Sequence, residues 1–307
     1  MILVTGAAGF IGSHFLELML AQGEACIALD SMTYAADHEF YREHQDLFWV
    51  KDLTDADSIT WLLKQHRVTA IVNFAAETHV DNSIKNWRPF VHSNITGVAT
   101  LLEAAVAAGV DRFLHVSTDE VYGSIDQGSF TETTVYNPRN PYSATKAASD
   151  HLVNAWHHTY GLDTVITNCS NNYGPRQHRE KLIPKTITQL LNNQPVPVYG
   201  DGLQIRDWLY VEDHCRAVYA ALLRGSAGEK YNIGSNRETH NIDIVHTLCD
   251  LLDRPKSLIA HVEDRPGHDR RYSTDSLKIR TLGWRSLYAL EAGLAKTVDY
   301  YTRQRAE

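Results

Sequence analysis

The run Gly6-Ala7-Ala8-Gly9-Phe10-Ile11-Gly12 constrains this chain more than any other feature in it. It follows directly on the strand-like Ile2-Leu3-Val4-Thr5 and opens a stretch of helical period at 11–22. A strand that turns on glycine into a helix leaves backbone N–H groups uncovered at the helix start, where the aligned peptide dipoles add partial positive charge. Glycines at this spacing permit the tight turn and let the backbone approach a pyrophosphate. Asp30 ends the second strand-like run, where a carboxylate can accept from the adenosine ribose hydroxyls. It would repel a 2′-phosphate, so the expected cofactor is NAD rather than NADP.

The first half alternates short β-rich runs with longer helical ones. Strands are expected at 2–5, 25–29, 48–51, 70–74, 112–117 and 164–167, and helices at 11–22, 57–66, 88–108 and 142–160. Helices of that length serve as crossovers between parallel strands. The fold class is therefore α/β, a Rossmann-type doubly wound parallel sheet. After about Cys169 the alternation fades into loop-rich sequence with Pro175, Pro184, Pro195 and Pro197. Residues 1–168 are expected to form most of an NAD-binding domain. Residues 169–307 are expected to form a smaller C-terminal substrate-binding domain, with some segments returning to the first. The chain shows no repeat or Gly/Ser linker, so the two parts are expected to pack closely around a shared cleft.

Apolar residues make up 43% and charged residues 21%, ordinary globular usage. The formal net charge of −8 argues against a general grip on nucleic acid or an anionic membrane, so an anionic ligand must be met by local cations. Cys26, Cys169, Cys215 and Cys249 are far apart and form no C-x-x-C pair, which suggests reduced thiols. The opening residues carry no basic leader, and the cytoplasm is the expected compartment. His38-Glu39 and His44 miss the H-E-x-x-H spacing and His157-His158 lacks a matching carboxylate cluster, so no metal is expected.

Two further groupings bear on chemistry. Tyr142-Ser143-Ala144-Thr145-Lys146 puts a phenol and an ammonium four residues apart, on one helix face. A free phenol, with a pKa of about 10, is a poor base at neutral pH, and each unit of depression corresponds to ~1.4 kcal/mol. Lys146 and a nicotinamidium ring are expected to supply that depression. Thr118-Asp119-Glu120 closes the fifth strand. Adjacent acids in unequal surroundings can hold one carboxyl protonated and the other ionised at one pH.

With its glycine loop, Asp30 and the Tyr142/Lys146 pair, the chain resembles the extended short-chain dehydrogenase/reductase family over essentially its whole length. Within that family, the runs Ala75 to Ser83, Ser117 to Gly123, Asn168 to Pro175 and Arg206-Asp207-Trp208 resemble the dTDP-glucose 4,6-dehydratases. The resemblance implies oxidation of a nucleotide-diphospho-hexose at carbon 4, loss of water across carbons 5 and 6, and hydride return to carbon 6. It makes Asp119 the acid, Glu120 the base, Thr118 a hydroxyl ligand, and Tyr142 with Lys146 the redox pair. The implied cofactor set is Gly6, Gly9, Phe10, Ile11, Gly12, Asp30, Ser31, Thr33, Asp52, Leu53, Phe74, Ala75, Ala76, Ser93, Tyr142, Lys146 and Asn172. The implied substrate set is Thr78, Asn171, Lys181, Leu182, Pro197, Val198, Tyr199, Arg206, Asn241, Arg265 and His268, with Val198 and Tyr199 near the base.

Arg176-Gln177-His178-Arg179 departs from the pattern of these enzymes and is expected to alter contacts to base or diphosphate. A homodimer through helices 88–108 and 142–160 is also implied. A UDP-sugar dehydratase or a 4-epimerase is an alternative, although an epimerase needs no carboxyl pair. A non-catalytic dinucleotide sensor is another, although it would need no proton-transfer groups.

Overall fold

The computed structural model describes residues 1–264 and 266–306. Among the described residues twelve strands run in chain order: β1 Ile2–Thr5, β2 Cys26–Asp30, β3 Phe48–Val50, β4 Ala70–Asn73, β5 Arg112–Thr118, β6 Asp163–Cys169, β7 Asn171–Tyr173, β8 Val196–Tyr199, β9 Ile205–Tyr210, β10 Glu229–Ile233, β11 Glu238–His240 and β12 Ile259–Val262. Seven of them build one parallel sheet in the order β10-β6-β5-β4-β1-β2-β3. The order reverses around β1, where β2 and β4 leave on opposite sides, and a doubly wound sheet places its ligand crevice at such a point.

Alternation along the strands divides the interior into two cores. In β1, Ile2 and Val4 join Phe15, Leu16, Met19 and Val218 on one face, while Leu3 meets Ile59, Leu62, Leu101 and Val153 on the other. Strands covered on both faces read as continuous apolar runs, which is why these segments stand out in the sequence. Helices Phe10–Ala21 and Val211–Arg224 cover the first face; Ala56–Gln65, Val98–Ala108 and Pro141–Tyr160 cover the second.

The sheet has seven strands where the sequence suggested six. The seventh, Glu-Lys-Tyr-Asn-Ile at β10, has three polar residues in five and borders only β6. As an edge strand it needs no apolar run, so its periodicity is weak.

The remaining strands form two small sheets, β11-β9-β7 and β12-β8. Helices Leu182–Leu191, Asn241–Leu251 and Leu290–Ala306 enclose a separate core of Ile183, Ile187, Leu190, Val245, Leu248 and Leu294. The segment Arg88–Ala108 is long and apolar enough to cross a membrane by length and composition. Here its Val98–Ala108 part packs between Ala56–Gln65 and Pro141–Tyr160. The turns over Val91–Gly97 widen to π geometry, a departure that often accompanies a functional site.

Candidate active site

Gly6 adopts φ 63°, and a Cβ there would stand 2.7 Å from the backbone nitrogen of Ala75. A Cβ on Gly12 would stand 2.1 Å from the carbonyl oxygen of Gly6. Only glycine lets the β1 turn, the helix start and the β4 loop approach this closely. Gly9 caps helix Phe10–Ala21 without a side-chain acceptor, so the first N–H groups of the helix face the cleft. Asp30 fastens the loop from below, its Oδ2 accepting from Ala8 N at 2.9 Å and its Oδ1 from Met32 N at 2.8 Å. Each oxygen keeps a second lone pair. Burial raises the Asp30 carboxyl, and these backbone donors oppose the rise.

This loop forms one end of a single large cleft. The whole expected cofactor set lines it: Gly6, Gly9, Phe10, Ile11, Gly12, Asp30, Ser31, Thr33, Asp52, Leu53, Phe74, Ala75, Ala76, Ser93, Tyr142, Lys146 and Asn172. Thr118, Glu120, Thr78, Asn171 and Lys181 line the same cleft.

At the other end, β5 delivers Thr118 and the turn after it delivers Asp119 and Glu120. The Thr118 hydroxyl accepts from Glu120 N at 3.2 Å, which fixes the turn. Asp119 is 2% exposed and lies behind the wall, with Thr274 Oγ1 at 3.4 Å from its Oδ2. Burial first, then the neighbouring Glu120 and Asp207 carboxylates, hold its carboxyl well above the usual range. The two acids therefore occupy unequal surroundings, a buried carboxyl beside a carboxylate at the cleft wall.

Tyr142 and Lys146 project from the first turns of helix Pro141–Tyr160, both buried at the cleft wall. Burial lowers the Lys146 ammonium to about 8, against the opposing pull of Asp150 and Cys169. Tyr142 departs from expectation. Burial, then the Glu120 carboxylate, raise its phenol well above 10, with a hydrogen bond to Thr118 acting the other way. Lys146 is not among the groups that dominate it, so the protein alone does not supply the expected depression.

The expected substrate residues divide. Lys181 donates to the Thr78 carbonyl at 3.0 Å across the cleft mouth, and Leu182 opens the next helix. Arg206, expected at the diphosphate, is 4% exposed; its guanidinium lies 4.1 Å over the Tyr272 ring and donates to the Ile205 and Asp269 carbonyls. Tyr199 donates to Asp81 Oδ2 at 3.1 Å, and its ring meets His268 edge-on at 6.1 Å. The Val198 side chain belongs to the C-terminal core, so a contact to the base could come only from its main chain. Pro197 is half-buried next to it and Asn241 opens helix Asn241–Leu251, both away from the cleft lining. Arg265 lies outside the described residues.

The basic loop divides as well. Arg176, at φ 62°, turns from the cleft to pair with Glu17 at 2.8 Å and to lie over the Phe40 ring, while Gln177 and His178 line the cleft.

Other cleft residues carried no sequence signal. Glu180 lies 3.5 Å from His79, 3.6 Å from His178 and 3.4 Å from the Tyr34 hydroxyl. Glu77 joins it in the lining. On the π-wide segment, Asn94 accepts from Glu77 N at 2.9 Å and donates to Glu77 O at 3.0 Å and Thr145 Oγ1 at 2.9 Å. It ties the β4 loop to the tyrosine-bearing helix, a contact that no local pattern could announce.

The pattern of the family described as GDP-mannose 4,6 dehydratase matches residues 3–297. A dTDP-glucose 4,6-dehydratase of Xanthomonas campestris pv. campestris is 49% identical, over 97% of this chain and 92% of its own. DesIV, the dTDP-glucose 4,6-dehydratase of Streptomyces venezuelae solved with NAD and TYD bound, is 47% identical with a TM-score of 0.96, covering 99% and 98% of the two chains. A UDP-glucose 4-epimerase of Thermotoga maritima solved with UDP-glucose reaches a TM-score of 0.94 at 30% identity, covering 100% and 99%. Backbone shape is thus shared with enzymes of both kinds, while identity rises sharply toward the dehydratases. Matched along nearly its whole length, this chain belongs to the GDP-mannose 4,6 dehydratase family.

Proposed function

We propose that the protein is an NAD-dependent lyase that converts dTDP-glucose to the 4-keto-6-deoxy sugar and water. The observation that carries this reading is the meeting, in one cleft, of a pyrophosphate-type glycine loop, the Tyr142/Lys146 pair and Glu120, with the buried Asp119 carboxyl directly behind Glu120 in the wall. The glycine turn and the uncapped helix start fit a dinucleotide, because side chains at Gly6 or Gly12 would force apart the β1 turn, the helix start and the β4 loop that bring backbone N–H groups together. Gly6 to Gly12 would hold its pyrophosphate and Asp30 its ribose. NAD held there would supply the hydride acceptor for oxidation at carbon 4 and, once reduced, the hydride donor for carbon 6.

The chain's own residues move the protons. Tyr142 takes the proton of the 4-hydroxyl as its phenolate, a form that burial disfavours and that the positive nicotinamide ring of the bound cofactor would favour, with Thr118 and Lys146 fixing the oxygen. The hydrogen on carbon 5 becomes acidic only when carbon 4 is a ketone, so oxidation precedes elimination. Glu120 at the cleft wall then removes that proton, and Asp119, held protonated by burial, gives one to the departing 6-hydroxyl as water. Glu120, whose proton exchanges with solvent at the cleft wall in the interval, finally protonates carbon 5. An epimerase has no leaving hydroxyl and no use for the pair.

The reading places the nucleotide sugar across the cleft between residues 1–168 and 169–307, with Lys181 and Asn171 on the second side. Arg206 belongs to the proposal as the diphosphate cation, since its guanidinium, seated on the Ile205 and Asp269 carbonyls and the Tyr272 ring, keeps further N–H donors. A homodimer is part of the proposal, supported by exposed Val106 within the Arg88–Ala108 segment and exposed Trp87 just before it, and sedimentation tests it. Placement in the cytoplasm follows the reduced state of its four buried, unbridged cysteines.

Incubation of the NAD-loaded protein with dTDP-glucose, and separately with UDP-glucose, tests the activity. A 4-keto product gives an absorbing enolate in base. The expected signal comes with dTDP-glucose; a stronger one with UDP-glucose would reassign the nucleotide, and none with either would overturn the proposal.

A further inference from the structure

We propose that Asn140 is a positioning residue for Glu120, setting the carboxylate and the phenol of Tyr142 from one anchor. The inference rests on the reading of Glu120 as the base. Pro141 disfavours a helical conformation at the residue before it, and Asn140 accordingly sits at φ −140° and ψ 162° as the cap of helix Pro141–Tyr160. Its Oδ1 accepts from Ser143 N at 2.8 Å, and its own N–H donates to Ser143 Oγ at 3.3 Å. Because the cap fixes the amide oxygen, the other face of the amide can only be Nδ2. That face donates to Glu120 Oε2 at 3.3 Å.

Asn140 is 9% exposed, so water competes poorly for this bond. A neutral donor on a carboxylate makes a charge-assisted hydrogen bond, stronger than one between neutral groups. It engages one carboxylate oxygen and leaves the second for the carbon-bound proton. Serine or aspartate would cap the helix as well as asparagine does. Serine cannot reach Glu120, and aspartate offers no donor. The requirement for asparagine therefore comes from Glu120 rather than from the helix.

The test uses Asn140→Ser, Asn140→Asp and Glu120→Gln in the NAD-loaded enzyme with dTDP-glucose, in single turnovers. Reduced nicotinamide absorbance reads oxidation at carbon 4, and deuterium entering carbon 5 from heavy water reads the proton step. In Asn140→Ser, oxidation is expected to stay within about threefold of the parent. Deuterium entry should slow by roughly 10- to 100-fold, as the loss of one bond to a charged group predicts. Asn140→Asp should do no better, since it restores the cap and sets two carboxylates together. Equal slowing of both steps in Asn140→Ser, or recovery of deuterium entry in Asn140→Asp, would reduce Asn140 to a helix cap and overturn the proposal. If Glu120→Gln loses deuterium entry while Asn140→Ser keeps it, the proposal fails and the base assignment stands. If Glu120→Gln keeps it, the base assignment itself fails.

Discussion

Lys146 Nζ lies 3.2 Å from His115 Nε2, with both side chains buried beneath the cleft floor. The same ammonium donates to the Val116 carbonyl at 2.8 Å, and His115 Nδ1 meets Asn73 Nδ2 at 3.0 Å. Burial and the adjacent Lys146 charge push the imidazole well below its usual range, so it stays neutral and serves as a fixed prop. Lys146 is held from behind by strand β5, and its outward N–H is left to the cleft.

That placement sets the alkaline limit of activity. Lys146 has its pKa lowered to about 8, so it is cationic below that pH and neutral above it. Turnover should fall as pH rises through about 8, checked by the pH dependence of kcat with saturating dTDP-glucose. A profile still flat beyond about pH 9 would contradict a role for the charge.

Asp119→Asn should slow water loss roughly 100- to 10,000-fold while changing the initial oxidation much less. Tyr142→Phe should suppress both, because the first step then lacks its proton acceptor. Rapid-quench analysis, with nicotinamide absorbance followed alongside, separates the two. Equal loss of both steps in the Asp119 variant would count against its role as acid.

Asp30→Ala removes the acceptor of two backbone N–H groups and of the proposed ribose contact. Affinity for NAD should weaken roughly 10- to 100-fold, the cost of losing bonds to a charged group. Calorimetric titration of cofactor-stripped protein measures it. Unchanged affinity would place the ribose elsewhere.

Gly6→Ala would force a Cβ to within 2.7 Å of the Ala75 backbone at a positive φ. The expected loss is about 1–3 kcal/mol of stability from overpacking, together with loss of NAD binding. Urea unfolding midpoints and the same titration test both, and Gly23→Ala, where the added Cβ has open space, is the control for positive φ alone.

How much of this was readable beforehand depended on whether a residue's task is local. The five inner strands and the glycine loop were legible because burial on both faces and a sharp turn write themselves into neighbouring residues, and β3, at one edge, was legible from its apolar Phe-Trp-Val run. β10 was not, since an edge strand needs few apolar side chains. Arg206 suggests a phosphate ligand by type, but its seat on the Tyr272 ring and two carbonyls, formed across elements, left no mark in the sequence. The phenol of Tyr142 was expected low because Lys146 is four residues away, whereas Glu120, distant in sequence, is the stronger influence. Asn94 and Asn140 act across elements, where spacing along the chain carries no information.

The position of β10 also bears on synthesis. Asn232, within that strand, accepts from the Tyr122 hydroxyl at 2.8 Å and donates to the Phe130 carbonyl at 3.1 Å, buttressing the turn that carries Asp119 and Glu120. A nascent chain released only as far as β6 would present an open sheet edge and an unsupported acidic turn. The first half cannot complete itself while the ribosome still holds residue 233, so catalytic competence arrives late in translation, with the second half already largely made.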